Sequence, residues 1–262
     1  MSKDYVLSLS YGKDSLACLG AIERLGLPLT RIVHAEVWAT DTIHADLPEM
    51  VAFKKKADAI IKDRWGIDVE HIRADVTYEE MFYKSRFNKK IGGECIYGFP
   101  IIKGAWCNDR LKMKVLKKCQ NNGVTYVGIA CDEPSRFHVL SATKRSPLVE
   151  AGWTEAMCRD WCERNGLLSP IYSRETRGGC WFCSKQPVDS LRRLRKEHPD
   201  LWALLLKWDS DTPVPFKPNG ITVHDFDKRF ELEDNGFVPT DRHFRWDMVK
   251  GKADEIYADD QM

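Results

Sequence analysis

Tyr5-Val6-Leu7-Ser8-Leu9-Ser10-Tyr11-Gly12-Lys13-Asp14-Ser15 decides the fold of this 262-residue chain. Its first five residues form an apolar run. Beyond Ser15, apolar side chains return at helical spacing: Leu16, Leu19, Ile22 and Leu25. A buried strand, a glycine-bearing turn and a helix start, in that order, make an anion site. Backbone N–H groups at the turn and the positive end of the helix point at one spot, and Lys13 adds a full charge. Gly12 lets the backbone approach the anion, and Asp14 or Ser15 is expected to cap the helix. The expected ligand is nucleotide pyrophosphate. A Walker loop is excluded, since Leu7 stands where that motif needs its first glycine. No Gly-x-Gly-x-x-Gly fingerprint follows the strand either. Tyr11 would carry a conformational cost if its φ were positive.

Working outward, Arg31 to Val37 reads as a second parallel strand, and Leu47 to Trp65 as an amphipathic helix with Pro48 in its first turn. Val69 to Ile72 makes a short third strand. Alternating strands and helices open a doubly wound, mostly parallel α/β sheet, Rossmann-like, with ligands outside the strand C-termini. Met81 to Lys103 is irregular and suits a flap over the site. Cys107 to Cys119 reads as a basic helix, Val124 to Ala130 as a fourth strand and Ser146 to Val149 as a short fifth. Thr154 to Asn165 is a helix capped by Thr154 and stopped by Gly166. After Cys183 the chain changes character, which divides it into residues 1–186 and a mainly helical C-terminal extension, 187–262.

Net charge is +1, so bulk electrostatics do not call for nucleic acid or a membrane surface. The basic stretches Lys54 to Lys56, Lys112 to Lys118 and Arg192 to Lys196 read as solvated helix faces. No apolar run approaches the ~18 residues of a membrane span, and no signal peptide is legible, so the expectation is a cytoplasmic protein without a membrane partner. Its nine cysteines then serve as thiols, metal ligands or catalytic groups rather than disulfides.

The loop resembles the Ser-Gly-Gly-Lys-Asp-Ser pyrophosphate loop of the adenine nucleotide alpha-hydrolase and N-type ATP pyrophosphatase superfamily, with Tyr11 in place of the first glycine. Later motifs follow in order: Trp106-Cys107-Asn108-Asp109-Arg110-Leu111-Lys112, Gly128 to Arg136, Ser146-Pro147-Leu148 leading to Trp153-Thr154, then Tyr172 and Arg177-Gly178-Gly179-Cys180-Trp181-Phe182-Cys183. Over residues 5 to 187 the chain is similar to the phosphoadenosine-phosphosulfate (PAPS) reductase-like family, to which the DNA phosphorothioation sulfurtransferase is related. True sulfonucleotide reductases carry a cysteine in a C-terminal tail. This chain has none after Cys183, which argues for ATP chemistry.

The resemblance implies an adenylating, ATP pyrophosphatase-type transferase that binds ATP and Mg²⁺ and supports sulfur transfer. It implies a nucleotide substrate, a nucleic-acid or protein acceptor and a sulfur donor. Ser10, Gly12, Lys13, Asp14 and Ser15 would cradle the phosphates, and adenine would lie against Ala35 to Val37. Gly128 would leave room for the nucleotide at the switch point. Lys13, Asp14 and Arg136 are the candidate catalytic residues, with Lys112 a further phosphate or acceptor contact. Asp41, Asp132 and Glu133 are candidate metal acids. Cys180 and Cys183 form a Cys-x-x-Cys turn, and motif order brings Cys107 beside them, which points to a [4Fe–4S] cluster. Zinc, sulfur-carrying thiols and plain packing stay open for these cysteines. So does a fourth ligand from Cys119, Cys158 or Cys162. The rival functions are a PAPS or APS reductase and a non-catalytic nucleotide-binding module with structural zinc.

Overall fold

The computed structural model describes residues 3–88, 92–100, 105–119, 123–173, 178–240, 244 and 246. Two compact units divide the chain, Met1–Cys183 and Ser184–Met262.

The first unit begins with β1 (Tyr5–Ser8), α1 (Lys13–Leu25), β2 (Arg31–Glu36), α2 (Pro48–Trp65) and β3 (Val69–Arg73). Then come α3 (Tyr78–Tyr83), the hairpin strands β4 (Ser85–Asn88) and β5 (Gly93–Ile96), α4 (Trp106–Asn108) and α5 (Lys114–Cys119). A π-helical stretch, Asp109–Met113, joins α4 to α5. The unit closes with β6 (Val124–Tyr126), β7 (Lys144–Arg145), α6 (Pro147–Ala151) and α7 (Glu155–Arg164).

Five strands form one sheet in the order β3-β2-β1-β6-β7, and every pairing in it is parallel. Strand order runs outward from β1 to β3 on one side and turns to β6 on the other. The switch therefore lies at β1, whose C-terminal end carries the Ser10–Gly12 turn, where doubly wound sheets bind ligands.

Glycine geometry fixes how α1 enters the layer. Its residues Ser15 through Ile22 are all buried, so it is an interior helix rather than a one-faced one. Leu7, Leu16, Leu19, Ile32 and Ile61 share one core with Tyr126 and Leu148. Each buried aliphatic side chain there contributes about 1.5–3 kcal/mol. A Cβ on Gly20 would lie 2.3 Å from Trp161 Cε2, which is why α7 can pack so close. Gly26 ends α1 in the left-handed conformation, φ 61.

Three segments depart from the sequence reading. Ser146 to Val149 is helix rather than a fifth strand: Ser146 accepts from Val149 N–H as N-cap and Pro147 sits at the first helical position, so the short apolar run starts α6. The edge strand falls just earlier, at Lys144–Arg145. The fourth strand ends at Tyr126, short of Ala130. The stretch expected to be a flap is partly core, because Met81, Phe82 and Phe99 are buried, and Phe82 meets Phe99 edge-on at 5.1 Å. Residues 89–91 and 101–103 of that stretch lie outside the described residues, as does Arg177 of the cysteine motif.

The second unit contains α8 (Val188–Glu197), α9 (Pro199–Ser210) and α10 (Val223–Asp234). Trp202, Trp208, Phe216, Phe226 and Phe230 are buried there. Two of the three α8 arginines are held in ion pairs, Arg192 with Asp189 and Glu233, Arg195 with Asp227 and Asp234. That stretch is a packed seam rather than a solvated basic face.

Candidate functional site

The turn after β1 is braced from within. Ser15 Oγ accepts from Ser10 N–H at 3.1 Å, lies 3.0 Å from Ser10 Oγ and donates to the Gly12 carbonyl at 2.9 Å. Neither Asp14 nor Ser15 caps the helix, contrary to expectation. The N-cap is Gly12 and no side chain bonds there. Among the described residues, the Asp14 and Ser15 backbone N–H groups meet no acceptor; Asp14 is on the cavity, whereas Ser15 N packs against Gly128. Lys13 N–H donates to the Tyr172 hydroxyl at 3.1 Å.

A cavity of about 450 Å³ opens over this turn. Of the residues read from sequence, Ser10, Gly12, Lys13, Asp14, Ala35, Val37, Lys112, Glu133, Arg136, Tyr172 and Cys180 line it. Ser15 sits behind it as the brace. Gly128 is needed for a different reason than expected: a Cβ there would meet Ser15 N at 2.6 Å and Asp14 C at 2.7 Å. The space belongs to the backbone of the first turn of α1, not to a ligand.

Lys13 Nζ pairs with Asp14 at 2.8 Å and with Glu155 at 3.3 Å. Burial works against its charge, but these two carboxylates hold its pKa above the ordinary lysine value. Asp14 is raised, first by burial and then by Glu155 and Glu133, with Lys13 opposing. Among the described residues, Asp14, Glu133 and Glu155 form the group of metal-ligating side chains whose donor atoms lie within 4.8 Å of one another. Glu155 was missed from sequence because it opens a distant helix and carries no motif spacing. Asp132 instead accepts from Glu155 N–H at 3.0 Å, starting α7. Asp41 lines a separate cavity beside Glu36 and Trp38. Arg136 is half exposed and tied to Glu133 at 2.8 Å.

A buried polar chain supports the floor. Tyr11 has φ 57, its ring is fully buried, and its hydroxyl donates to Asp58 and lies 3.1 Å from His71 Nε2. His34 Nδ1–H donates to the Leu9 carbonyl at 2.9 Å, so its Nε2 accepts from Lys54 Nζ at 2.8 Å. Lys54 also pairs with Asp46 at 2.5 Å. Burial and the Lys54 charge push the His34 pKa well below its ordinary value.

Cys107, Cys180 and Cys183 act on one another and on shared neighbours. Burial raises Cys180 to about 12, and Cys183 and Cys107 add to this while Lys112 opposes. Burial raises Cys107, with Cys183 adding. Lys112 is raised in turn, Cys180 first among its causes. The loop bearing the pair is pinned: Trp181 N–H donates to the Ala45 carbonyl and Trp181 Nε1–H to that of His44, each at 2.9 Å. Phe182 packs on Tyr78 at 4.0 Å. Three thiols beside a cation suit an iron–sulfur cluster as a donor set. The three sulfurs do not all lie within 4.8 Å of one another, whereas four sulfurs around one zinc, at ~2.3 Å each, would be under about 4 Å apart.

The fourth-ligand candidates are elsewhere. Cys158 and Cys162 are fully buried in the core of the first unit with Cys18, and Cys162 S–H donates to the Lys13 carbonyl at 3.2 Å. Burial is the main reason both thiols are raised, Cys162 to about 12. The Cys119 carbonyl accepts from Arg31. All nine cysteines are free thiols.

No helix among the described residues is long and apolar enough to cross a membrane. Compared with protein-family models, curated proteins and solved structures, the chain matches none.

Proposed function

We propose that this chain is an adenylating, ATP pyrophosphatase-type enzyme of the PAPS reductase-like family, working in the cytoplasm and supporting sulfur transfer to an acceptor. One observation carries the reading. The open N-terminus of α1, Lys13 and the Cys180 thiol line a single cavity large enough for a nucleotide.

In this reading the β- and γ-phosphates lie over Gly12 to Ser15, taking the free N–H groups and the Lys13 charge. Adenine lies against Ala35 to Val37, at the end of β2. An acceptor oxygen attacks the α-phosphorus, a new P–O bond forms, and the bond to the bridging oxygen breaks as pyrophosphate leaves. Lys13 and the helix end stabilise the charge that builds on that leaving group. Asp14, Glu133 and Glu155 would hold Mg²⁺, which supplies further neutralisation of the phosphates when bound. Cys107, Cys180 and Cys183 would hold a [4Fe–4S] cluster, which when bound supplies sulfur-binding and electron-transfer chemistry. Lys112 stands between thiols and cavity, where it offsets thiolate charge and faces the phosphates.

The test is purification without oxygen, followed by metal and sulfide analysis and a pyrophosphate-release assay with ATP. Iron, sulfide and pyrophosphate together support the reading. Zinc with bound but uncleaved ATP would instead make the protein a nucleotide-binding module, and turnover of PAPS without ATP cleavage would make it a reductase.

A further inference from the structure

Tyr172 stands in the 3₁₀ turn Pro170–Ser173. Its backbone is tied down on both sides: Tyr172 N–H donates to the Ser169 carbonyl at 3.1 Å, and Arg159 donates to the Tyr172 carbonyl at 3.3 Å. The ring reaches across to the turn after β1, where the hydroxyl oxygen accepts from Lys13 N–H. A Cβ built on Gly12 would lie 3.4 Å from that oxygen, so the phenol stands against the glycine itself. Tyr172 lines the cavity.

A phenol has one proton to donate and here it has used only its lone pair. Among the described residues, no acceptor meets the Tyr172 O–H. Burial raises its pKa, so the proton stays on the oxygen at neutral pH. We infer that Tyr172 is a ligand-binding residue of the cradle, one that donates its hydroxyl proton to an oxygen of the nucleotide's pyrophosphate moiety. The hydroxyl sits against Gly12 and Lys13 N–H, and Gly12, Lys13, Asp14 and Tyr172 line the same cavity. A phosphate over that turn therefore lies within reach of the phenol proton, and the oxygen keeps its bond from Lys13 N–H. Tyr172 thus adds a neutral donor to a cradle whose lysine is already shared with two carboxylates.

The inference rests on the nucleotide reading, and the experiment separates the two. Tyr172→Phe keeps the ring and removes only the hydroxyl. Titration calorimetry on the full chain with ATP, inorganic pyrophosphate and adenosine reads the effect. A hydrogen bond to a charged group predicts about a ten- to hundredfold loss of affinity for ATP and for pyrophosphate, with adenosine unchanged. A merely structural role would weaken all three ligands alike. Unchanged or tighter pyrophosphate binding in the variant overturns the inference while leaving the nucleotide site intact; tighter binding would mean that the phenol competes for the cradle. A wild-type chain that binds neither ATP nor pyrophosphate overturns both. Melting curves without ligand report any loss of fold, and the pyrophosphate-to-adenosine affinity ratio of the folded fraction still decides the matter.

Discussion

Tyr11 and Asp58 are 47 residues apart in the chain, and the Tyr11 phenol donates a hydrogen bond to the Asp58 carboxylate. That bond, with His71 at 3.1 Å, holds the ring of the one described non-glycine residue with positive φ. Left-handed backbone costs a non-glycine residue about 1–2 kcal/mol, which the buried ring and its partners offset. Tyr11→Phe is expected to cost about 1–3 kcal/mol in urea denaturation by leaving Asp58 and His71 short of a partner. Tyr11→Ala should cost about 3–5 kcal/mol through the cavity left behind. A neutral Tyr11→Phe would show that the hydrogen bonds do not hold the turn.

Gly128 carries a packing prediction. Its missing Cβ is occupied by the Asp14–Ser15 backbone, so Gly128→Ala must shift the first turn of α1. Overpacking predicts a loss of about 1–3 kcal/mol, read from the unfolding midpoint, with weaker pyrophosphate binding alongside. An Ala variant of unchanged stability and affinity would contradict that contact.

His34 gives a pH dependence of known sign. Its folded pKa lies well below the ordinary value of 6.5, because of burial and then Lys54. Its stabilising contribution is fully present above that value and is lost as pH falls below it, since only the unfolded chain takes up the proton. Between the two pKa values the slope approaches about 1.4 kcal/mol per pH unit. His34→Gln should flatten urea-derived stability from pH 6.5 downward. An unaltered slope would mean that His34 already shares its proton in the folded state.

Lys13 separates binding from folding. Lys13→Ala should lower pyrophosphate release by about 10²–10³-fold, the usual effect of removing one preorganised charge stabiliser. Metal content and melting temperature should stay near wild type. Equal activity in the variant would end the adenylation proposal.

Cys180 does the reverse. Cys180→Ala should lose bound iron, read by absorbance near 400 nm and metal analysis, while ATP binding is retained, because the turn from Ser10 to Ser15 is untouched. Full iron in the variant would remove Cys180 from the ligand set.

The β1–α1 junction was legible because its signals are contiguous: an apolar run, a glycine turn and helical spacing within about twenty residues. The parallel sheet followed from the same alternation. Ser146 to Val149 misled because a four-residue apolar run has no period of its own, and Pro147 with Ser146 settles it as a helix start. Glu155, Lys54 and the role of Tyr172 were not legible. Tyr172 meets Lys13 across 159 residues, and no local spacing marks such a contact. Asp132 is a candidate metal acid from its place in the Gly128 to Arg136 motif, yet its carboxylate serves the start of α7. At Gly128 the neighbour is the backbone of α1: sequence shows that a side chain is missing, not what fills its place.

The central claim is that the turn from Ser10 to Ser15 grips the outer phosphates of ATP and leaves the α-phosphorus open. A crystal structure with α,β-methylene ATP and Mg²⁺ reads this directly. The account predicts β- and γ-phosphate density over Gly12 to Asp14, with adenine against Ala35 to Val37. Clean density for the nucleotide anywhere else, with the turn bare, would contradict it.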